Sequence, residues 1–270
     1  MKKWFKTISL VLTLLLSMSS LSYASTIDSR DRYEFDKNDK FMQKYYESTK
    51  NANTLEEYNN SITAMGFVKD KEETVYYVKN NDKLLKTGTK KVTTKDGTKY
   101  YVNNLNVTAE EFTNTISSTY GNSELSMTLT TYRGTQIDQY QTDMLNLVYS
   151  FNWAGWKPYT DLFGCYWDDH DVYKTGSSYS SGLTSGGTTN TSRICNVSSS
   201  TSSGYISIMC KSRDGYVYDD HGAATTQYVH ASGFPPNFTF GGSAGGVIFG
   251  ISFSYSPQTT LIYNIDDFTY

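Results

Sequence analysis

The chain is poor in the residues that staple or stiffen small domains, with three Cys, four Pro and three His in 270 residues. Three thiols close one disulfide at most, which excludes a disulfide-dense miniprotein. Excess positive charge is absent: 24 Lys and Arg stand against 27 Asp and Glu, a net of −3. That balance excludes a basic nucleic-acid binder. Long apolar runs are missing apart from one at the N-terminus, and a mean hydropathy of −0.51 excludes a polytopic membrane protein. What the chain has in quantity is aromatic rings, 24 Tyr, 13 Phe and 4 Trp, which exclude a wholly disordered polymer.

The one apolar run reads as a secretory leader. Lys2, Lys3 and Lys6 form a positive start, Thr7 to Leu16 a short apolar core, and Ser22-Tyr23-Ala24 a small-residue cleavage site. A membrane anchor needs about 20 apolar residues, and Ser17, Ser19, Ser20 and Ser22 interrupt the run too early. Residues 1–24 are therefore expected to be a signal peptide, and the protein to be secreted. The remainder is net acidic, with 21 basic and 27 acidic groups, which disfavours anionic lipid and nucleic acid.

Charge then divides the rest. Residues 25–122 hold 15 basic and 15 acidic groups, whereas residues 123–270 hold 6 and 12. The shift suggests a small charged α+β region followed by a separate Tyr- and Ser-rich body, with the boundary near Gly121-Asn122. In the first region a helix is expected over 37–50. Thr54 and Glu57 form a capping box before a second, with Leu55, Tyr58, Ile62 and Met65 at helical spacing and Gly66 as its stop. Strands are expected at 73–79, 84–94 and 98–103, with Asp96-Gly97 as a hairpin turn. Thr108 and Glu111 predict a further helix over 108–119.

The second region alternates at period two. Leu145, Leu147, Tyr149, Phe151 and Trp153 fall on one face of 144–153; Ile206, Ile208 and Cys210 do so in 205–212. Segments 124–132, 193–197, 236–241, 246–255 and 260–265 add further strands, while the Ser-, Thr- and Gly-rich stretch 175–192 reads as an exposed loop. The fold class expected is mainly β: a C-terminal antiparallel β-sandwich preceded by a small α+β region.

Three stretches, TAEEF (108–112), LSMTLTTY (125–132) and FNWAGWKPYTDLFG (151–164), resemble uncharacterised secreted proteins of Gram-positive bacteria. The resemblance covers residues 50–165 and implies a location and a layout but no activity.

Four constellations could carry chemistry. Trp153, Trp156, Tyr159, Phe163, Tyr166 and Trp167 make an aromatic belt. Trp153 and Trp167 could fill the core; alternatively Trp156, Tyr159, Tyr166 and Trp167 could form a platform for a cell-wall glycan or a membrane surface. Asp168-Asp169-His170-Asp171 and Asp219-Asp220-His221 are acidic loops whose oxygens would suit Ca²⁺, or Zn²⁺ with His230, although such Asp residues more often cap turns. Cys195 and Cys210 are the favoured disulfide, closing a hairpin-sized loop. Gly241-Gly242-Ser243-Ala244-Gly245 matches a nucleophile elbow, but the last His, His230, lies upstream of Ser243 rather than downstream. The reading that follows is a secreted, non-enzymatic binding module. The alternatives are a membrane-active β-rich toxin or bacteriocin, for which 246–255 has the alternation of a membrane strand, and a secreted hydrolase.

Overall fold

In the computed structural model the described residues are 29–77, 90–93, 99–102, 125–134, 143–154, 157, 160–215, 221–231, 237–240, 251–254 and 260–270. After a 3₁₀ turn at Ser29–Arg32 come β1 (Tyr33–Phe35), α1 (Lys40–Thr49), α2 (Leu55–Ala64) and β2 (Val68–Tyr77). The chain continues with β3 (Lys90–Thr93), β4 (Lys99–Val102), β5 (Leu125–Gly134), β6 (Met144–Trp153), β7 (Asp161–Trp167) and β8 (Val172–Tyr179). Then follow β9 (Leu183–Thr188), β10 (Ser192–Val197), β11 (Ser203–Ser212), β12 (Ala223–Ala231), β13 (Asn237–Phe240), β14 (Ile251–Ser254) and β15 (Thr260–Thr269).

Two sheets dominate. One has the order β1-β8-β11-β6-β5-β2-β4-β3, and the other β15-β12-β7-β10-β9. Every pair in them is antiparallel except β2 with β4. Between the sheets lies a core to which β6 contributes Leu145, Leu147, Tyr149, Phe151 and Trp153, and β11 contributes Ile206, Ile208 and Cys210. Phe163, Cys165 and Trp167 of β7 and Cys195 and Val197 of β10 meet them from the other sheet. The alternation read from the sequence thus becomes one face of a sandwich-like pair, each fully buried aliphatic side chain contributing about 1.5–3 kcal/mol.

The eight-stranded sheet is covered on its other face too. Phe41, Met42 and Tyr45 of α1 and Tyr58 and Ile62 of α2 pack against Tyr132, Met144, Val148, Tyr205 and Met209. Both helices start at side-chain caps. Asp39 accepts from the amides of Phe41 and Met42, and Thr54 and Glu57 complete the capping box. At this interface Tyr45 and Tyr58 are buried with their hydroxyls 3.0 Å apart. Tyr45 also reaches Ser178 at 2.7 Å, Asn146 Nδ2 donates to the Tyr58 oxygen at 2.7 Å, and Ser207 donates to Asn146 Oδ1 at 2.8 Å. Burial pushes both phenols above their ordinary value of 10, so they stay protonated donors. Gly176 makes the close approach possible: a Cβ there would lie 2.5 Å from Met42 Cε and 2.9 Å from the Glu34 carbonyl oxygen.

A clamp ties the sheets at one edge. Glu34 on β1 takes Lys174 Nζ of β8 at 3.1 Å and Arg193 Nη1 of β10 at 2.9 Å, while the Arg193 guanidinium sits 4.8 Å from the Tyr179 ring centre. Burial works to raise the Glu34 pKa, but Lys174 and Arg193 outweigh it and hold the carboxyl below its ordinary 4.5.

Three expectations need correction or bounds. Residues 175–192 are not an exposed loop, since β8 and β9 occupy most of them, and a Cβ at Gly176 or Gly182 would clash with its neighbours. The Cys195–Cys210 disulfide is not formed, and all three cysteines are buried free thiols. Cys195 lies on β10 in one sheet and Cys210 on β11 in the other, so the chain between them crosses the sandwich instead of closing a hairpin. The expected helix 108–119 and the Asp96-Gly97 turn lie outside the described residues.

Candidate functional site

The aromatic belt divides. Trp153 is 2% exposed and Trp167 fully buried, both in the sandwich core. Trp167 is thereby withdrawn from the proposed ligand platform: strand alternation turns Phe163, Cys165 and Trp167 of β7 inward and leaves Tyr166 half-exposed on the opposite face. Trp156 and Tyr159 lie outside the described residues, as does Ser243.

The acidic loops do approach one another. The amide of His221 donates to Asp171 Oδ2 at 3.1 Å. Asp168 Oδ1 accepts the amide of His170 at 3.0 Å, and the Asp169 carbonyl accepts Arg213 Nε at 3.1 Å. His170 itself is 85% exposed. The Asp168 and Asp171 carboxylates are therefore engaged with backbone amides, as Asp in turns commonly is. Among the described residues no group of three or more His, Cys, Asp or Glu side chains could hold a metal ion. Asp219 and Asp220 lie outside the described residues.

A second titratable cluster gathers where β7 begins. Asp161 is fully buried; it accepts the Tyr228 hydroxyl at 2.7 Å and faces His230 Nδ1 at 3.0 Å. The Trp153 ring stacks on Tyr228 at 5.4 Å and lies 4.6 Å from the His230 ring. Lys157 donates to the carbonyls of Ser198, at 3.3 Å, and Thr201, which pins the turn leading into β11. Its burial pulls the ammonium pKa down, and the Asp161 charge pulls it back up. Aspartate thus orients imidazole through Nδ1, an arrangement that can fix a tautomer. Tyr228 and His230 were legible as an i, i+2 pair on one strand face, yet 223–231 was not read as a strand, so their meeting with Asp161 was missed.

A trough of about 350 Å³ opens over the eight-stranded sheet where the chain enters α2. Ser126 and Thr128 of β5, Ser150 and Asn152 of β6, and Ser203 of β11 supply polar lining, with Asn53, Thr54 and Leu55 forming a wall. Register explains the set: Ser126 pairs with Asn152, which pairs with Ser203, and Thr128 pairs with Ser150, so the polar half of each alternation converges. Thr128 is tied to Thr74 at 2.9 Å. The Ser126, Ser150, Asn152 and Ser203 side chains make no hydrogen bond to another described residue, which leaves their donors and acceptors open to a ligand. Gly204 sits beside them, where a Cβ would come within 3.0 Å of the Phe151 ring. None of the described lining residues is charged, and Tyr205 adds an aromatic edge.

The chain matches no protein-family model, no curated protein and no solved structure.

Proposed function

We propose that the protein is exported and acts outside the cell as a non-enzymatic binding module that holds a neutral, hydroxyl-rich ligand of the glycan class in the Ser/Thr/Asn trough. The single observation that carries the reading is the lining: open hydroxyl and amide groups, with no charged side chain among the described lining residues, over about 350 Å³. A sugar exchanges its water contacts for those donors and acceptors without leaving a buried ion uncompensated. Export rests on the leader pattern of residues 1–24, and the net acidic remainder argues against nucleic acid as partner.

Co-sedimentation tests it. The full chain is expected to pellet with cell-wall sacculi and not with liposomes. The pair Ser126→Ala with Asn152→Ala is expected to weaken that retention about tenfold, since each lost hydrogen bond is worth about 0.5–1.5 kcal/mol. Dye release from liposomes, or undiminished sacculus binding by the double variant, would overturn the reading.

A further inference from the structure

One edge of the eight-stranded sheet is closed by the shortest of the described strands. β1 meets β8 at three positions, Tyr33 with Ser178, Glu34 with Ser177 and Phe35 with Gly176. With the 3₁₀ turn before it, β1 forms a strap, residues 29–35, across the side of the sandwich. The Asp31 carbonyl accepts the Tyr179 hydroxyl at 3.1 Å, and Arg32 Nη2 donates to the Lys50 carbonyl at 2.8 Å. Tyr33 and Phe35 turn towards the helices, where both are half-buried, and Glu34 between them turns to the mouth of the sandwich. No strap residue belongs to the core between the sheets. Closure also leaves Arg32 Nη1 buried without a partner, a standing cost of the shut strap.

The strap's contribution at the mouth is one carboxylate, shared by two cations. Lys174 of β8 and Arg193 of β10, one from each sheet, are 15% and 4% exposed, whereas Glu34 is 45% exposed. Neither cation pairs with another described carboxylate. The remaining groups that face them are neutral. Ser177 Oγ donates to Glu34 at 3.3 Å and accepts from Arg193, and the Tyr179 ring lies beside the guanidinium. Lys174 reaches Thr188 Oγ1 at 3.4 Å and the Thr189 carbonyl at 3.3 Å, and burial keeps the Cys195 thiol protonated. On the strap itself the other charges, Asp31 and Arg32, are adjacent and opposite.

A proton on Glu34 leaves Lys174 and Arg193 facing each other, largely out of water and without a counter-charge. Opening the strap returns both to solvent. Burial works to raise the Glu34 pKa, but in the shut strap the two cations hold it below 4.5, and in the open strap it regains that value. Acid therefore favours the open form.

We propose that residues 29–35 are an acid-released strap: protonation of Glu34 frees β1 from β8 while the rest of both sheets stays paired, and uncovers the β8 edge at 176–178.

Residue-resolved hydrogen exchange of the full chain tests this, with rates corrected for the intrinsic effect of pH. Between about pH 7 and about pH 3.5, the amides of 33–35 and the β8 amides bonded to them are expected to lose protection at least about fivefold, while those joining β6 and β11 keep theirs. Glu34→Gln keeps the side chain's size without its charge, so its strap is expected to be open at both pH values. Lys174→Met leaves one cation instead of two, and its acid loss of protection is expected to be smaller than that of the unmodified chain. Simultaneous loss of protection in every strand would mean that acid unfolds the molecule without a separate strap step. Undiminished protection of 33–35 in acid, or an acid loss in Glu34→Gln equal to that of the unmodified chain, would mean that Glu34 is not the latch. Each of these results would overturn the proposal. None of the described trough-lining residues belongs to the strap, so sacculus binding tests a separate reading.

Discussion

The two faces of the eight-stranded sheet are held by different physics. The inner face meets the second sheet through aliphatic and aromatic side chains, as Leu147, Ile208 and Phe151 do against Phe163 and Val197. The outer face meets α1 and α2 through a mixture in which Tyr45, Tyr58, Asn146, Ser178 and Ser207 exchange hydrogen bonds at full burial. An apolar contact tolerates sliding, whereas a satisfied polar network has one register. The comparison therefore teaches that the sandwich core supplies most of the drive to fold, and the Tyr-hydroxyl layer determines where the helices sit.

The largest effect should come from the inner face. Leu147→Ala is expected to cost about 2–5 kcal/mol in urea unfolding, as deleting buried methyl groups does. On the outer face, Tyr58→Phe keeps the ring but removes the hydroxyl that accepts from Asn146 Nδ2 and bonds Ser207, leaving the Asn146 amide stranded, and about 1–3 kcal/mol should be lost. A double-mutant cycle of Tyr58→Phe with Ser207→Ala should then be strongly non-additive, while Tyr58→Phe with Leu147→Ala should be nearly additive. Additivity in the first pair would mean the two faces do not differ as described.

A smaller effect distinguishes the clamp that ties the sheets. Because the folded pKa of Glu34 is held below its ordinary 4.5, its stabilisation is present above that value and is lost as pH falls through the lower folded pKa. Glu34→Gln should flatten the acid limb of the stability curve below pH 4.5 and leave its shape at neutral pH unchanged. Least of all should alkylation affect the native protein. Burial raises the Cys165 thiol and pushes Cys195 up to about 12, so iodoacetamide at mildly basic pH should label neither until denaturant is added. Rapid native labelling would show the sandwich core to be open.

The sandwich was legible because buried strands alternate, and 144–153 could be read with its boundaries intact. The capping box at Thr54 and Glu57 was equally plain, since its chemistry is local. What escaped were β1 and β7, and with them β12, β8 and β9. The Ser, Thr, Ala and Gly residues of the last three carry little hydrophobic signal, and they are strands only because neighbours pair with them. The trough escaped for a related reason. Ser126, Thr128, Ser150 and Asn152 read as the solvent half of an alternation, and nothing in one strand's sequence says that three strands will line them up beside a helical wall. Asp161 and His230 were visible singly, but they stand 69 positions apart and no period in the chain between would bring them together.

The helical layer has one more consequence, for the order in which the chain can assemble. Phe41, Tyr45 and Tyr58 find their counterparts at Tyr205 and Met209, and β1 finds its partner at Ser177 and Ser178, all well over a hundred positions downstream. A ribosome that has released the first hundred residues has made helices with nothing to lie on. Docking can begin on Tyr132, Met144 and Val148 but is complete only once β11 has emerged, so closing that long loop should be a slow step of folding.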